Sequence, residues 1–160
     1  MPKRELDSID RKILGLLQED ARIANVDLAA KVHLSPSPCL ARVRKLEQDQ
    51  IITSYVTLLS GPAIGLGVNV FVQVRLEAQS ETNLEVFEKA VAARPEVMEC
   101  YLMTGTSDYL LRVVVSDLMG YQEFVLGFLT RIPGVGNIQS SLALKQVKYK
   151  TALPLPAADE

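Results

Sequence analysis

Apolar positions recur along this chain with two different periods, and the change of period divides it. Over roughly the first fifty residues they fall at helical spacing: Ile9, Ile13, Leu14, Leu16 and Leu17, then Leu28 and Val32, then Leu40, Val43 and Leu46. Each run opens behind a residue whose side-chain oxygen can accept from first-turn N–H groups, so Asp7, Asn25 and Ser35 are the expected N-caps. Asp10 suits the positive end of the first helix, and Pro36 and Pro38 fit a first turn whose N–H groups lack partners. The pattern predicts helices over Ser8 to Glu19, Val26 to Val32 and Pro36 to Glu47, the last two separated by the tight turn His33-Leu34. Helix, short helix, turn and helix with a polar face is the order of a helix-turn-helix.

Beyond residue 50 the period shortens. Gln50 to Ser60 is rich in β-branched residues and reads as a strand, either a short wing or the link to the next domain. Ser60 to Gly67 concentrates Gly and Pro and marks a boundary. Val68, Val70, Val72, Val74 and Leu76 then alternate with Asn69, Phe71, Gln73, Arg75 and Glu77, which predicts a half-buried strand. Thr82-Asn83-Leu84-Glu85 reads as a capping box for a helix that ends at Arg94-Pro95. Strands over Val97 to Thr104 and Tyr109 to Val115 come next, then a helix capped by Asp117 with Tyr121, Phe124, Val125 and Phe128 inward, then a strand over Ile138 to Val147.

The expected fold class is therefore α+β. A winged helix-turn-helix domain over 1–59 is succeeded by a linker over 60–67 and a ferredoxin-like βαββαβ domain over 68–150. The tail, 151–160, is expected to be frayed or loosely docked. Both helices should cover one face of the sheet and leave Phe71, Tyr101 and Met103 on the other among Gln73, Arg75, Ser141 and Lys145. A face so apolar predicts a symmetric homodimer packed sheet on sheet.

Charge changes this picture only locally. The net charge is -2, so any nucleic-acid binding must come from a patch. The residues up to Ser60 carry nine Lys/Arg against eight Asp/Glu and the remainder eight against eleven, which has the sign of a binding head on an acidic body. Double-stranded DNA is the expected partner, with Arg22, Arg44 and Lys45 on phosphates and Ser35, Ser37, Pro38 and Arg42 toward base edges. So few cations on one head require two or more heads to act together. His33 is read as a turn residue or a phosphate-contacting donor, and Cys39 and Cys100 as reduced, packed thiols.

Absences narrow the chemistry. One histidine, two cysteines without C-x-x-C spacing, no phosphate loop and no acid pair tied to a nucleophile speak against an enzyme, a metal site or a cofactor. No run approaches a membrane span and the start lacks the apolar core of a signal peptide, so a cytoplasmic location is expected. One stretch combines hydroxyls, glycine, a carboxylate and an aromatic: Thr104-Gly105-Thr106-Ser107-Asp108-Tyr109. It reads either as a polar hairpin closed by Asp108 or as a half-site for a zwitterion. In the second case the amides near Gly105 take a carboxylate, Asp108 takes an ammonium, and Leu102 or Met103 takes an aliphatic side chain.

Three motifs then carry a resemblance. Leu6-Asp7-x-x-Asp10-x-x-Ile13-Leu14, the run Leu34-Ser35-Pro36-Ser37-Pro38-Cys39-Leu40-x-Arg42-Val43-x-x-Leu46-Glu47, and Gly105-x-x-Asp108-Tyr109-Leu110-Leu111 resemble, in order, the Lrp/AsnC (leucine-responsive, feast/famine) family. The resemblance implies a bacterial or archaeal transcription regulator with a C-terminal amino-acid effector domain. It also implies dimers through the sheet, assembly into octamers and effector bound where dimers meet. It places the effector response at Gly105 to Tyr109, with Leu118 and Ser140 to Ala143, including Ser141, as neighbours. Ser141 and Ala143 are smaller than the family's leucine-responsive member has there, so leucine, methionine and other aliphatic amino acids all stay open as effectors. The rival reading is an amino-acid-binding sensor subunit whose helical head meets a protein instead of DNA.

Overall fold

The Asp7 carboxylate accepts a hydrogen bond from the Asp10 amide at 2.7 Å, and this cap sets the start of helix α1, Ser8–Glu19. The computed structural model describes residues 5–155. Two further helices complete the first unit, α2 over Asn25–Lys31 and α3 over Pro36–Gln48. Their caps differ from expectation. Ala24, not Asn25, precedes α2, and Ser35 precedes α3 without a side-chain cap bond. Asn25 instead donates its Nδ2 to the Pro36 carbonyl at 2.9 Å and so ties α2 to α3.

The core of this unit is Ile13, Leu14, Leu28, Ala29, Val32, Cys39, Val43 and Leu46. Cys39 takes the place expected of Leu40, which is exposed. Spacings of four and three, as in 39, 43 and 46, hold one side of a helix, whereas spacings of three and three drift back by about 60° per step.

Among the described residues two that are not glycine adopt the left-handed region, His33 at φ 57° and Gln50 at φ 56°. Each closes a helix: the Leu34 amide reaches the Ala29 carbonyl at 2.9 Å, and the Ile51 amide reaches Leu46 at 2.9 Å. Left-handed backbone costs an L-residue about 1–2 kcal/mol, partly offset by glycine's greater entropy when unfolded. Gln50→Gly is therefore expected to stabilise the head by about 0.5–1 kcal/mol, read as a raised denaturant midpoint at unchanged m-value. An equal or lower midpoint would refute the strain argument.

After Ile52 the chain enters no ladder among the described residues, so of the readings offered for Gln50 to Ser60 the strand and the wing do not form and the segment is the link to the next unit. Tyr55 ties this connector to α3 by donating to Glu47 Oε1 at 2.9 Å.

The second unit is built from β1 (Val68–Leu76), α4 (Glu81–Ala92), β2 (Val97–Leu102), β3 (Tyr109–Val115), α5 (Leu118–Gly127) and β4 (Val135–Leu142). The strands form one antiparallel sheet in the order β2-β3-β1-β4, the ferredoxin-like arrangement. Ser80 caps α4, two residues ahead of the expected Thr82, and Asp117 caps α5 through the Gly120 amide at 2.8 Å. Strand β4 stops five residues before Val147. Its partner β1 offers Val70 opposite Leu142 and the Asn69 carbonyl to the Ala143 amide and ends at Val68, so positions 145 to 147 have no partner on it.

Alternation decides the faces. Val70, Val72 and Val74 with Leu111 and Val113 are fully buried beneath Phe87, Val91, Phe124 and Leu129. Phe71, Gln73 and Arg75, Leu110 and Arg112, Glu99 and Tyr101, and Gln139 and Ser141 share the opposite face by register. The chain clusters into two compact units, residues up to Leu58 with the segment from Lys148 onward, and Leu59–Val147.

Candidate functional site

In the helical unit α3 begins directly after the turn at His33. Ser35, Ser37 and Pro38 lie exposed there, as do Arg44 and Lys45 further along α3 and Arg22 before α2. Arg22 and Arg44 make no ion pair among the described residues, and Lys45 makes only a 3.4 Å contact with Asp49 one turn on. Their charge is available to an anionic partner.

Arg42 is not. Its Nη1 lies 2.6 Å from Asp7 Oδ2 and 2.9 Å from Asp10 Oδ1, and the Asp10 side chain is only 2% exposed. The residue expected to read base edges instead clamps α3 onto the capped end of α1. A guanidinium already shared by two carboxylates, one of them buried, would have to abandon a buried charge to reach a base. The hydrogen bond from the Asp10 amide, reinforced by Arg42, holds the Asp7 carboxyl below its ordinary value.

In the sheet unit the candidate effector residues do not converge. Asp108 is 5% exposed and its carboxylate is spoken for: Oδ2 accepts from the Leu76 amide at 2.7 Å and Oδ1 from the Gln79 side-chain amide. The register of β1 against β4 shifts between Arg75 and Leu76, so the Leu76 N–H finds this carboxylate where the ladder is irregular. The expected Asp108-to-ammonium contact thus has to share a carboxylate that braces two elements. No Lys or Arg pairs with it among the described residues, so its donors are neutral.

Gly105, at φ 114°, turns the chain in the left-handed half of conformational space that favours glycine, with Thr104 exposed beside it. Met103, 41% exposed, comes after Tyr101 in alternation toward the open face, and its amide donates to the Asp108 carbonyl at 2.8 Å. Tyr109 points the other way, its ring tilted against Phe87 with centroids 4.5 Å apart and its hydroxyl donating to Glu88 Oε1 at 2.8 Å. Burial and the Glu88 carboxylate push the Tyr109 phenol far up, so it stays a donor.

Leu102 and Tyr109 line a cleft of about 290 Å³ between α4 and the free edge of β2, together with Glu88, Val91, Met98 and Cys100. Cys100 is exposed there, whereas Cys39 is buried as expected, and both thiols are free. Ser140 and Ser141 face opposite sides of the sheet. Ser140 is hydrogen-bonded to Tyr121 of α5, while Ser141 lies opposite Phe71 on the open face. Leu118 stands 59% exposed at the start of α5.

Several contributors went unread in the sequence. Gln79 and Glu88 bind Asp108 and Tyr109, and Glu99 joins Arg112 at 2.7 Å and Tyr101 at 3.0 Å, with Asn69 at 3.0 Å from Arg112. Only the strand alternation, which puts Glu99 and Arg112 on one face of neighbouring strands, could have paired any of them. No group of metal-ligating side chains occurs among the described residues, and none of their helices is long and apolar enough to cross a membrane.

With this geometry in place, comparison with known proteins is informative. Residues 6–47 match the AsnC-type helix-turn-helix domain and residues 69–153 the Lrp/AsnC ligand binding domain. A Bkd operon transcriptional regulator of Pseudomonas aeruginosa is 48% identical over 151 residues, 94% of this chain and 99% of that protein. The leucine-responsive regulatory protein of Escherichia coli is 40% identical over 152 residues, 95% and 93% of the two chains. The crystal structure of a Neisseria meningitidis transcriptional regulator in complex with L-methionine superposes with a TM-score of 0.89 at 42% identity, covering 93% of this chain and 96% of that one.

Proposed function

This chain belongs to the Lrp/AsnC family of transcription regulators, and from that premise we propose that it is a sequence-specific regulator whose amino-acid effector is aliphatic and binds between dimers. Its helix-turn-helix binds DNA and its sheet unit is the amino-acid-binding domain. The observation that carries the finer reading is the dispersal of the effector candidates. Tyr109 and Ser140 lie on the helix side, Ser141 on the open face and Leu118 on the outer side of α5, so a site that uses them is incomplete without a second copy.

The open face supports the dimer. Phe71, Tyr101 and Met103 remain 40%, 52% and 41% exposed at the centre and edge of the sheet, beside the polar cluster of Glu99, Arg112 and Asn69. Two copies packed on this face bury the apolar residues within a polar rim and bring two weakly basic heads to one DNA site. Dimers then join into octamers, and the amino acid acts by binding the assembly states unequally. Methionine bound to the Neisseria relative and the leucine response named for the Escherichia coli relative support an aliphatic ligand. A methylene more or less changes affinity by only about 1–3 kcal/mol, so several amino acids should bind.

A thermal-shift screen of the twenty amino acids, together with sedimentation, tests this. Leucine, methionine or another aliphatic amino acid is expected to raise the midpoint, because a ligand of the native assembly stabilises it by mass action. Binding to DNA from the protein's own upstream region should exceed binding to random DNA at two salt concentrations. Phe71→Glu is expected to raise the dimer dissociation constant about a hundredfold or more, because a carboxylate would be buried in the interface without a partner. A protein that sediments as a monomer, or Phe71→Glu sedimenting like the wild type, would remove this interface.

A further inference from the structure

The far end of the chain belongs to the helical unit. Leu153 donates its amide to Gln18 Oε1 at 2.6 Å and accepts from Gln18 Nε2 at 3.2 Å, so one side-chain amide of α1 matches both backbone polar groups of one residue. Two residues on, Leu155 packs against the core of Ile13, Leu14, Leu28 and their neighbours. Pro154 between them has no N–H to satisfy and a fixed φ, so the segment loses little freedom on docking. Of the two expectations for the tail, frayed or loosely docked, the described part takes the second; residues 156–160 lie outside the described residues.

We propose that the α1 surface around Gln18 is a docking site for the chain's own Leu153-Pro154-Leu155, and that this latch sets the DNA affinity of the head. The route is short. Helix α1 carries Asp7 and Asp10, which hold Arg42 of the recognition helix, so a contact that steadies α1 steadies α3. The latch also gives the sheet a line to the head. From Ala143 to Ala152 the chain after β4 contains no glycine, whereas the connector ahead of β1 is broken by Gly61, Gly65 and Gly67. A change at Ser140 or Ser141 therefore reaches the head through the tail. This second step rests on the proposed effector function.

Full-length Gln18→Ala and Leu155→Asp test the latch directly. Losing the two Gln18 bonds is expected to speed hydrogen exchange of α1 amides by about tenfold and to weaken DNA binding by about threefold or more. Gln18→Glu keeps the acceptor for the Leu153 amide and should fall between. Exchange and DNA affinity equal to wild type in both variants would overturn the proposal. Inserting five Gly/Ser residues after Lys145 tests transmission, because lengthening a loop costs little closure entropy and the latch should stay docked. The insertion should leave L-methionine binding and methionine-free DNA affinity unchanged and reduce the effect of methionine on DNA affinity at least threefold. An undiminished effect would overturn transmission. A wild type that binds no amino acid would refute the effector function alone, and the point variants would still decide the latch.

Discussion

Replacing Arg42 with Ala is expected to destabilise the helical head by about 2 kcal/mol, below the range for breaking a fully buried ion pair, because Arg42 itself is partly solvated and Asp10 keeps other interactions. The variant removes the cation that Asp10 shares at 2.9 Å while leaving Asp10 in a site where its side chain is only 2% exposed. For a unit this small the loss corresponds to a melting midpoint lowered by roughly 10 °C or more. Binding to specific and random DNA should weaken together, in proportion to the fraction of unfolded head, and cooling should restore both. Arg42→Lys should recover part of the stability, since an ammonium keeps the charge but cannot fork between Asp7 and Asp10. A base-reading arginine would behave otherwise: an unchanged midpoint with specific binding lost and random binding kept would sink the clamp. The clamp also has a pH signature. Because the folded-state pKa of Asp7 is lowered, its contribution is whole above the unfolded value and is lost as pH falls through the folded one. Wild type should therefore lose stability toward acid through this range somewhat more steeply than Arg42→Ala, in which the share supplied by Arg42 is gone while the Asp10 amide still holds the Asp7 carboxylate.

Arg42 also shows where reading a sequence stops. The boundary of α1 was legible because its cap is local: Asp7 and the Asp10 amide are three residues apart. The sheet topology was legible because alternation over Val68 to Leu76 and the helices between β1 and β2 and between β3 and β4 leave few topologies. The partner of Arg42 was not, since Asp7 lies 35 residues away in sequence and nothing local distinguishes a guanidinium facing DNA from one facing a neighbouring helix. Leu153 and Gln18 are 135 residues apart and illustrate the same limit. Residues that looked like strand failed for a different reason. Val56, Leu58 and Leu59 have the propensity but no neighbouring strand among the described residues, and Val147 lies past the end of β1, whose first residue Val68 falls opposite position 144 by register. Propensity nominates a strand; a partner makes one. The candidate effector residues read from the sequence form a region, yet which of them brace the fold is visible only with Gln79 and Tyr121 in place.

At Asp108 the bracing role and the proposed ligand role predict different responses to two substitutions. Asp108→Ala leaves the Leu76 amide without its acceptor inside a site only 5% exposed, and it releases Gln79. The expected cost is about 2–3 kcal/mol in the stability of the sheet unit, the penalty for a buried donor stripped of a charged acceptor. Loss of amino-acid response in that variant would therefore say little about the ligand. Asp108→Asn separates the roles. Its side-chain oxygen can still accept from Leu76, and Gln79 can turn its own oxygen toward the new amide, so stability should change by less than about 1 kcal/mol. What disappears is the negative charge. A carboxylate satisfied only by neutral donors retains attraction for an ammonium, and hydrogen bonds to charged groups are worth about 1.5–3 kcal/mol. Calorimetry should accordingly show L-methionine or L-leucine bound about tenfold to a hundredfold more weakly by Asp108→Asn, with the dimer intact. If Asp108→Asn binds the amino acid as tightly as wild type, the carboxylate is a brace and nothing more. If Asp108→Ala melts with wild type, the brace is wrong, and the buried carboxylate would need the ligand to explain it.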